Sequence, residues 1–226
     1  MPNSLLSLLQ LCNSSLPLGA FSYSESLETL VNKQLISDDY GLKLWLINEL
    51  SYGSIRVESA IMLRGYNCFL SQDFSKLNYW NSWLTAQRET LELRQQSWQM
   101  GKSLMRLIHS LEPENKLIIE LNSLFKSNCN YAIAFGIVAS NWQIAPENAI
   151  LGYLYSWMNN LVNAGVKLIP LGQTMGQKIL LEMNNHLVKI TQEILTLDDD
   201  DLASCSIGLS LASMQHEVEY SRLFRS

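Results

Sequence analysis

Residues 127–166 read SNCNYAIAFGIVASNWQIAPENAILGYLYSWMNNLVNAGV, and Glu147 is the single charged side chain among them. The uncharged runs 127–146 and 148–166 are each near the length of a bilayer-spanning helix, about 20 residues. Their polar residues argue otherwise. Asn128, Asn130, Asn141 and Gln143 sit in the first run, and Asn159, Asn160 and Asn163 in the second. Carboxamides taken out of water need hydrogen-bond partners, which a protein core supplies and lipid does not. The stretch therefore reads as two buried helices of a helical core, with Pro146 at the start of the second, where a missing N–H costs nothing.

Working outward, the same pattern continues. Leucine occurs 40 times, valine 7 and threonine 6. Leucine favours helices, the two β-branched residues favour strands, and no segment shows the period-2 alternation of a half-buried strand. The expected class is all-α: a single compact helical domain, residues 1–226, of roughly eight to ten helices without linker or repeat. The reading places helices at 4–12, 22–33, 40–50, 54–70 (broken near Gly65), 73–83, 85–111 (one long helix or two), 114–127, 131–142, 146–166, 176–195 and 204–219. Ser37-Asp38-Asp39 supplies a capping cluster before the third of these.

Hydrophobic residues make up 47% of the 226 residues and charged residues 16%, well under the usual share of about 25%. Such a chain is not disordered. It carries more apolar surface than a monomer normally hides, which points to partner interfaces. A net charge of −5 is a poor match for nucleic acid or an anionic membrane. Cys12, Cys68, Cys129 and Cys205 lie at least 56 residues apart. That spacing excludes CxxC sites and reads as four buried, reduced thiols. The start of the chain has no basic n-region, so no signal peptide is expected.

The candidate chemical motifs fail one by one. Gly101-Lys102-Ser103 ends like a phosphate-binding loop, but Gln96 occupies the position of the required first glycine, and no strand precedes it. His216-Glu217 opens like a zinc-protease helix, but Tyr220 stands where the second histidine belongs. Asp198–Asp201 lacks the spacing and central glycine of a calcium loop and reads as a solvated cap for the following helix. No G-x-S-x-G elbow is present. The sequence thus offers no catalytic residue, no resident metal site and no cofactor site.

Two segments are unusual for a plain helical bundle. Leu16-Pro17-Leu18-Gly19-Ala20-Phe21-Ser22-Tyr23-Ser24 places two aromatics beside a tight turn. Tyr220-Ser221-Arg222-Leu223-Phe224-Arg225-Ser226 interleaves aromatics and arginines, the residue types enriched at interface hot spots. Such a tail either folds onto a partner or docks on its own domain.

These segments, with Leu27-Glu28, Glu92-Leu93-Arg94 followed by Ser97, Gln99, Met100, Gly101 and Leu104, Ala134-Phe135-Gly136, Ile169-Pro170-Leu171-Gly172-Gln173 with Gly176-Gln177, and His216-Glu217, occur in the order found in the UreF family of urease accessory proteins, which the chain resembles. The resemblance implies an all-α, non-enzymatic, cytoplasmic chaperone without cofactor, membrane span or nucleic-acid partner. It implies a homodimer that binds UreD (also called UreH) and recruits the GTPase UreG and the urease apoprotein for GTP-dependent nickel insertion.

The residues it marks for partner binding are Pro17, Gly19, Phe21 and Tyr23 in the first motif and Pro170, Gly172, Gln173 and Gln177 in the central loop. At the end of the chain they are His216, Glu217, Tyr220, Arg222, Leu223, Phe224 and Arg225, within a partner-binding tail of about 202–226. The glutamines act at an interface or cap a helix. Glu92, Arg94 and Gln99 lie on a solvated face or in an intramolecular ion pair. The sequence departs from the family pattern where Glu25-Ser26 replaces a polar–Gly pair, at Ala20, and at 206–209 before the last helix. Two other readings stand beside the scaffold. In one, the chain directly regulates UreG, with Arg222, Arg225 or Lys167 as the acting cation. In the other it is a small-molecule-binding helical bundle, suggested by residues 131–166.

Overall fold

Helix α8 (Tyr131–Asn141) is the axis of the protein, and Ala132 to Ser140 are buried without interruption. A helix apolar on every side must be surrounded. α4 (Ser54–Ser71) lies against it over the longest shared contact in the molecule. The approach is close because α8 offers small residues to α4. A Cβ built on Gly136 would stand 2.3 Å from the main-chain oxygen of Met62 and 2.9 Å from the Tyr66 nitrogen. These are backbone atoms that have no rotamer to change, so the position admits glycine alone.

The computed structural model describes residues 4–125, 128–205, 207–217, 220 and 222–226. In chain order the other helices are α1 (Ser4–Leu11), α2 (Leu27–Asn32), α3 (Asp39–Tyr52), α5 (Phe74–Gln87) and α6 (Leu91–Leu111). They continue with α7 (Lys116–Phe125), α9 (Pro146–Leu168), α10 (Gln173–Glu182), α11 (Asn184–Leu195) and α12 (Ile207–His216). α5, α6 and α9 close around the α4–α8 pair, α3, α10 and α11 pack outside α4 and α9, and α12 lies on α2. Among the described residues there is no strand, and no helix is long and apolar enough to cross a membrane.

The all-α expectation holds among the described residues, where twelve α-helices replace the expected eight to ten. Two boundaries differ from the expected ones, and the second of them adds a helix to the eleven segments drawn from the sequence. Residues 73–111 divide at Arg88, and Thr90 restarts the chain as an N-cap whose hydroxyl accepts from the Leu93 N–H at 3.4 Å. Residues 173–195 divide at Met183, which turns fully into the core just ahead of the poor helix formers Asn184 and Asn185. The break expected near Gly65 does not occur, because Gly65 faces Ile133 inside a continuous helix.

Asp38 caps α3, as expected, by accepting from the Gly41 N–H at 2.7 Å. Asp199–Asp201 forms a 3-10 turn held by Arg64, and α12 starts only at Ile207, so the acidic run does not cap it. All four thiols are free, but Cys12 is half-buried and Cys205 exposed, in place of four buried ones. Lys126, Ser127, Ser206, Val218, Glu219 and Ser221, parts of the expected helical and tail segments, lie outside the described residues.

Candidate functional site

The loop after α1 turns at Gly19, whose φ of 78° is left-handed, into a 3-10 turn at Ala20–Ser22. Tyr23 and Ser24 follow buried, then Glu25 and Ser26 both adopt left-handed backbone, with φ of 50° and 65°. These two residues are why no helix runs from Ser22. α2 begins only at Leu27. Ser26 occupies a conformation that suits glycine, and its buried hydroxyl has no partner among the described residues. The departure from the polar–Gly pattern therefore leaves a strained residue.

The tail docks on this loop. The Ser24 N–H and hydroxyl both donate to the Ser226 main-chain oxygen at 2.8 Å, and the Arg225 N–H donates to the Ser22 carbonyl at 2.8 Å. The buried Glu28 carboxylate, in the first turn of α2, receives the Leu223 N–H at 2.7 Å and the Phe224 N–H at 2.9 Å. Hydrogen bonds to an ionised acceptor are about twice as strong as neutral ones. Phe224 is buried, with the Lys167 ammonium 5.7 Å from its ring centre.

The start of α6 is the second anchor. Glu92 lies in its first turn, where the helix dipole favours a negative charge, and pairs with Arg222 and with His216 Nδ1, the latter at 2.7 Å. His216 is fully buried, and its Nε2 stands 3.8 Å from Glu28. Glu217 accepts from the N–H groups of Leu91 and Glu92 at 3.0 and 3.2 Å. His216 and Glu217 thus clamp the tail to α6 from inside the chain. Glu92 forms the intramolecular ion pair that was one of its two expected roles, and Arg94 donates to the Arg88 carbonyl at 3.0 Å.

What remains outside is selective. Phe21 is 71% exposed, Leu223 66%, and Tyr220 wholly so. Arg225 is exposed as well. Beside the tail lies a cleft of about 680 Å³, bordered by Tyr23, Glu92, Gln99, Lys102, Arg222 and Arg225. Lys102 is there because it lies on α6. Its neighbour Gly101 presses on another backbone, since a Cβ would come 2.1 Å from the Cys129 oxygen. Packing explains that glycine without a phosphate.

The structure thus joins the first motif, the start of α6 and the tail. Pro170, Gly172, Gln173 and Gln177 are exposed around the start of α10, outside the hydrogen bonds that hold the tail, and neither glutamine side chain caps the helix.

Sequence reasoning missed the polar group beneath the loop. Arg88 and Glu58 form a buried ion pair at 2.7 Å, with the Tyr153 hydroxyl donating to Glu58 at 3.3 Å. Glu25 accepts from the Trp157 indole at 2.8 Å and from Gln96 at 3.1 Å. Burial pushes Glu58 up to about 7 against the opposing pull of Arg88, and burial also raises Glu25. One signal was available: Gln96 and Ser97 interrupt the apolar face of α6 between Leu93 and Met100.

A sequence model of the UreF family matches residues 36–184. The chain belongs to the UreF family of urease accessory proteins. It is 55% identical over 222 residues to the urease accessory protein UreF of Microcystis aeruginosa, covering 98% of this chain and 97% of that protein. The UreF protein of a Nostoc species is also 55% identical, over 98% of this chain and 95% of its own length. That of Chromohalobacter salexigens is 36% identical over the whole chain and 96% of its own length. The family match ends short of both the loop and the tail, and these relatives extend the likeness across nearly the full length.

Proposed function

We propose that this chain is a scaffold for urease maturation, which binds UreD (UreH) through the loop-and-tail surface and brings UreG and the urease apoprotein together for GTP-dependent nickel insertion. The observation that carries this reading is the docking of residues 222–226 on residues 22–28, some 200 positions away, which buries Tyr23 and Phe224 and leaves Phe21, Leu223 and Arg225 facing outward. Exposed aromatics and arginine on a pre-ordered rim suit a hot spot for a protein partner. Nickel is cargo here, and the chain acts as a homodimeric, non-catalytic chaperone in the cytoplasm. The central-loop residues Pro170, Gly172, Gln173 and Gln177 supply a second, exposed contact.

The test is UreD binding by the full chain and by a variant lacking residues 220–226. The scaffold reading expects the truncation to weaken binding at least tenfold while the helical domain keeps its far-ultraviolet spectrum. Full-strength binding by the folded truncation would remove the tail from the interface.

A second reading makes the chain a direct regulator of UreG. Arg222 is held by Glu92, whereas the Arg225 side chain has no partner among the described residues and borders an open cleft. An arginine delivered to a phosphate site raises GTP turnover by about 10³–10⁵. UreG turnover with and without this chain, and with Arg225→Ala, decides it. An unchanged rate under conditions where the complex forms excludes the regulator.

A further inference from the structure

Beneath the first-motif loop lies a cavity of about 340 Å³, bordered among others by Glu25, Glu58, Arg88, Tyr131, Tyr153 and Trp157. That is room for about ten waters and falls in the range of small-molecule pockets. We infer that this cavity is a binding site for a small organic cation of the guanidinium or primary-ammonium class, held by Glu25.

The first argument is charge. Two carboxylates face one buried guanidinium, and Arg88 is already engaged by Glu58 at 2.7 Å. The other basic side chain on the cavity wall, Lys167, is exposed and holds its ammonium over Phe224. The remaining titratable neighbours, Cys12, Tyr131 and Tyr153, are held in their neutral forms by burial. The cavity is one positive charge short of balance when both acids are ionised, and a proton or a bound cation makes up the difference.

The second argument is access. Glu25 keeps part of its surface accessible and lines the cavity, and each of its oxygens accepts a single hydrogen bond. A carboxylate has about four lone-pair sites, so both oxygens can take further donors. The Arg88 Nε offers an entering anion nothing, because it is enclosed and without accessible surface.

The third argument is shape. Tyr131, Tyr153 and Trp157 supply aromatic walls, which attract organic cations through the ring quadrupole. Glu25 is also one of the two non-glycine residues held left-handed in this loop. Strain of that kind costs about 1–3 kcal/mol and gathers at ligand sites.

The site is wired to the tail. Ser226 Oγ donates to Gln96 Oε1 at 2.5 Å, and Gln96 Nε2 donates to Glu25 at 3.1 Å. The inference nevertheless stands apart from the scaffold reading, and its test uses this chain alone.

Guanidinium chloride, well below denaturing concentration, is titrated into the full-length protein at constant ionic strength, with the Trp157 indole N–H followed by NMR and assigned through Trp157→Phe. Urea serves as the neutral isostere, and sodium acetate and magnesium chloride as anion and metal probes. The expected result is a saturable shift with guanidinium, at least about tenfold weaker binding of urea, and loss of that preference in Glu25→Gln. Equal binding of guanidinium and urea, no saturable shift, or a response to acetate or magnesium in place of guanidinium overturns the inference. Should Glu25→Gln fail to fold, the contrast between probes on the unmodified protein decides it.

Discussion

Replacing Glu28 by Gln should release the tail without unfolding the domain. The Glu28 carboxylate takes the N–H groups of Leu223 and Phe224, one on each oxygen. A glutamine keeps the shape and one acceptor, but turns an N–H₂ group toward the other N–H. Each hydrogen bond to a charged group contributes about 1.5–3 kcal/mol. Losing one outright and the charge from the other removes about 2–4 kcal/mol of docking free energy. At about 1.4 kcal/mol per factor of ten, the closed tail becomes roughly 30- to 1000-fold less populated relative to open forms.

Native-state hydrogen exchange at the Leu223 and Phe224 amides reads this directly. Leu223 is the cleaner probe because its side chain is 66% exposed, so its amide is protected by the bond to Glu28 and little by burial. Protection at both amides should fall by that factor, while amides in α4 and α8 keep theirs. Unchanged protection at Leu223 in a folded Glu28→Gln protein would refute the assignment of Glu28 as the tail's anchor.

Three further outcomes follow from the same geometry. Ser26→Gly should stabilise the fold by at least about 1 kcal/mol, since relief of left-handed strain (about 1–2) and removal of an orphan hydroxyl (about 1–3) outweigh the entropy of a new glycine (about 0.5–1). Calorimetry should show a rise in Tm of at least about 2 °C, and a fall would refute it. Gly136→Val should fail to give a cooperatively melting protein, because its side chain would meet the Met62 main chain, and a normal melting curve would count against the α4–α8 contact. Stability should decline as pH rises from about 4.5 to about 7. Glu58 keeps its proton to about 7 in the folded chain, against an ordinary value of 4.5, so the unfolded chain binds fewer protons across that window. Denaturant titrations of the Glu25→Gln, Glu58→Gln double variant should lose that decline, and an unchanged pH profile would remove these acids as its source.

The helical class was legible because it rests on composition and on the two uncharged runs, parted by Glu147 alone, that became α8 and α9. Boundaries set by local chemistry were legible too, as at Asp38. Those set by tertiary packing were not. The side chains of Glu25 and Ser26 do not announce a left-handed backbone, and only the glycine of the family pattern at the second position hints at it; the tail's hydrogen bonds to Ser22, Ser24 and Glu28 surround this loop from about 200 residues away. The resemblance marks His216, Glu217, Phe224 and Tyr23 for partner binding, and the fold buries three of them, Tyr23, His216 and Phe224, which no local feature of the sequence announces. The polar cavity was hidden for a simpler reason: Glu58, Arg88, Glu25 and Trp157 come from four separate elements, and only the fold brings them together.

The most direct test of the scaffold account is urease activity in cells that carry the urease operon but lack their own UreF, supplied with nickel and with this chain beside its matched partners. The account predicts restored activity with the full chain and a large loss when residues 220–226 are removed. No activity from a soluble, folded chain in the presence of its partners would contradict it.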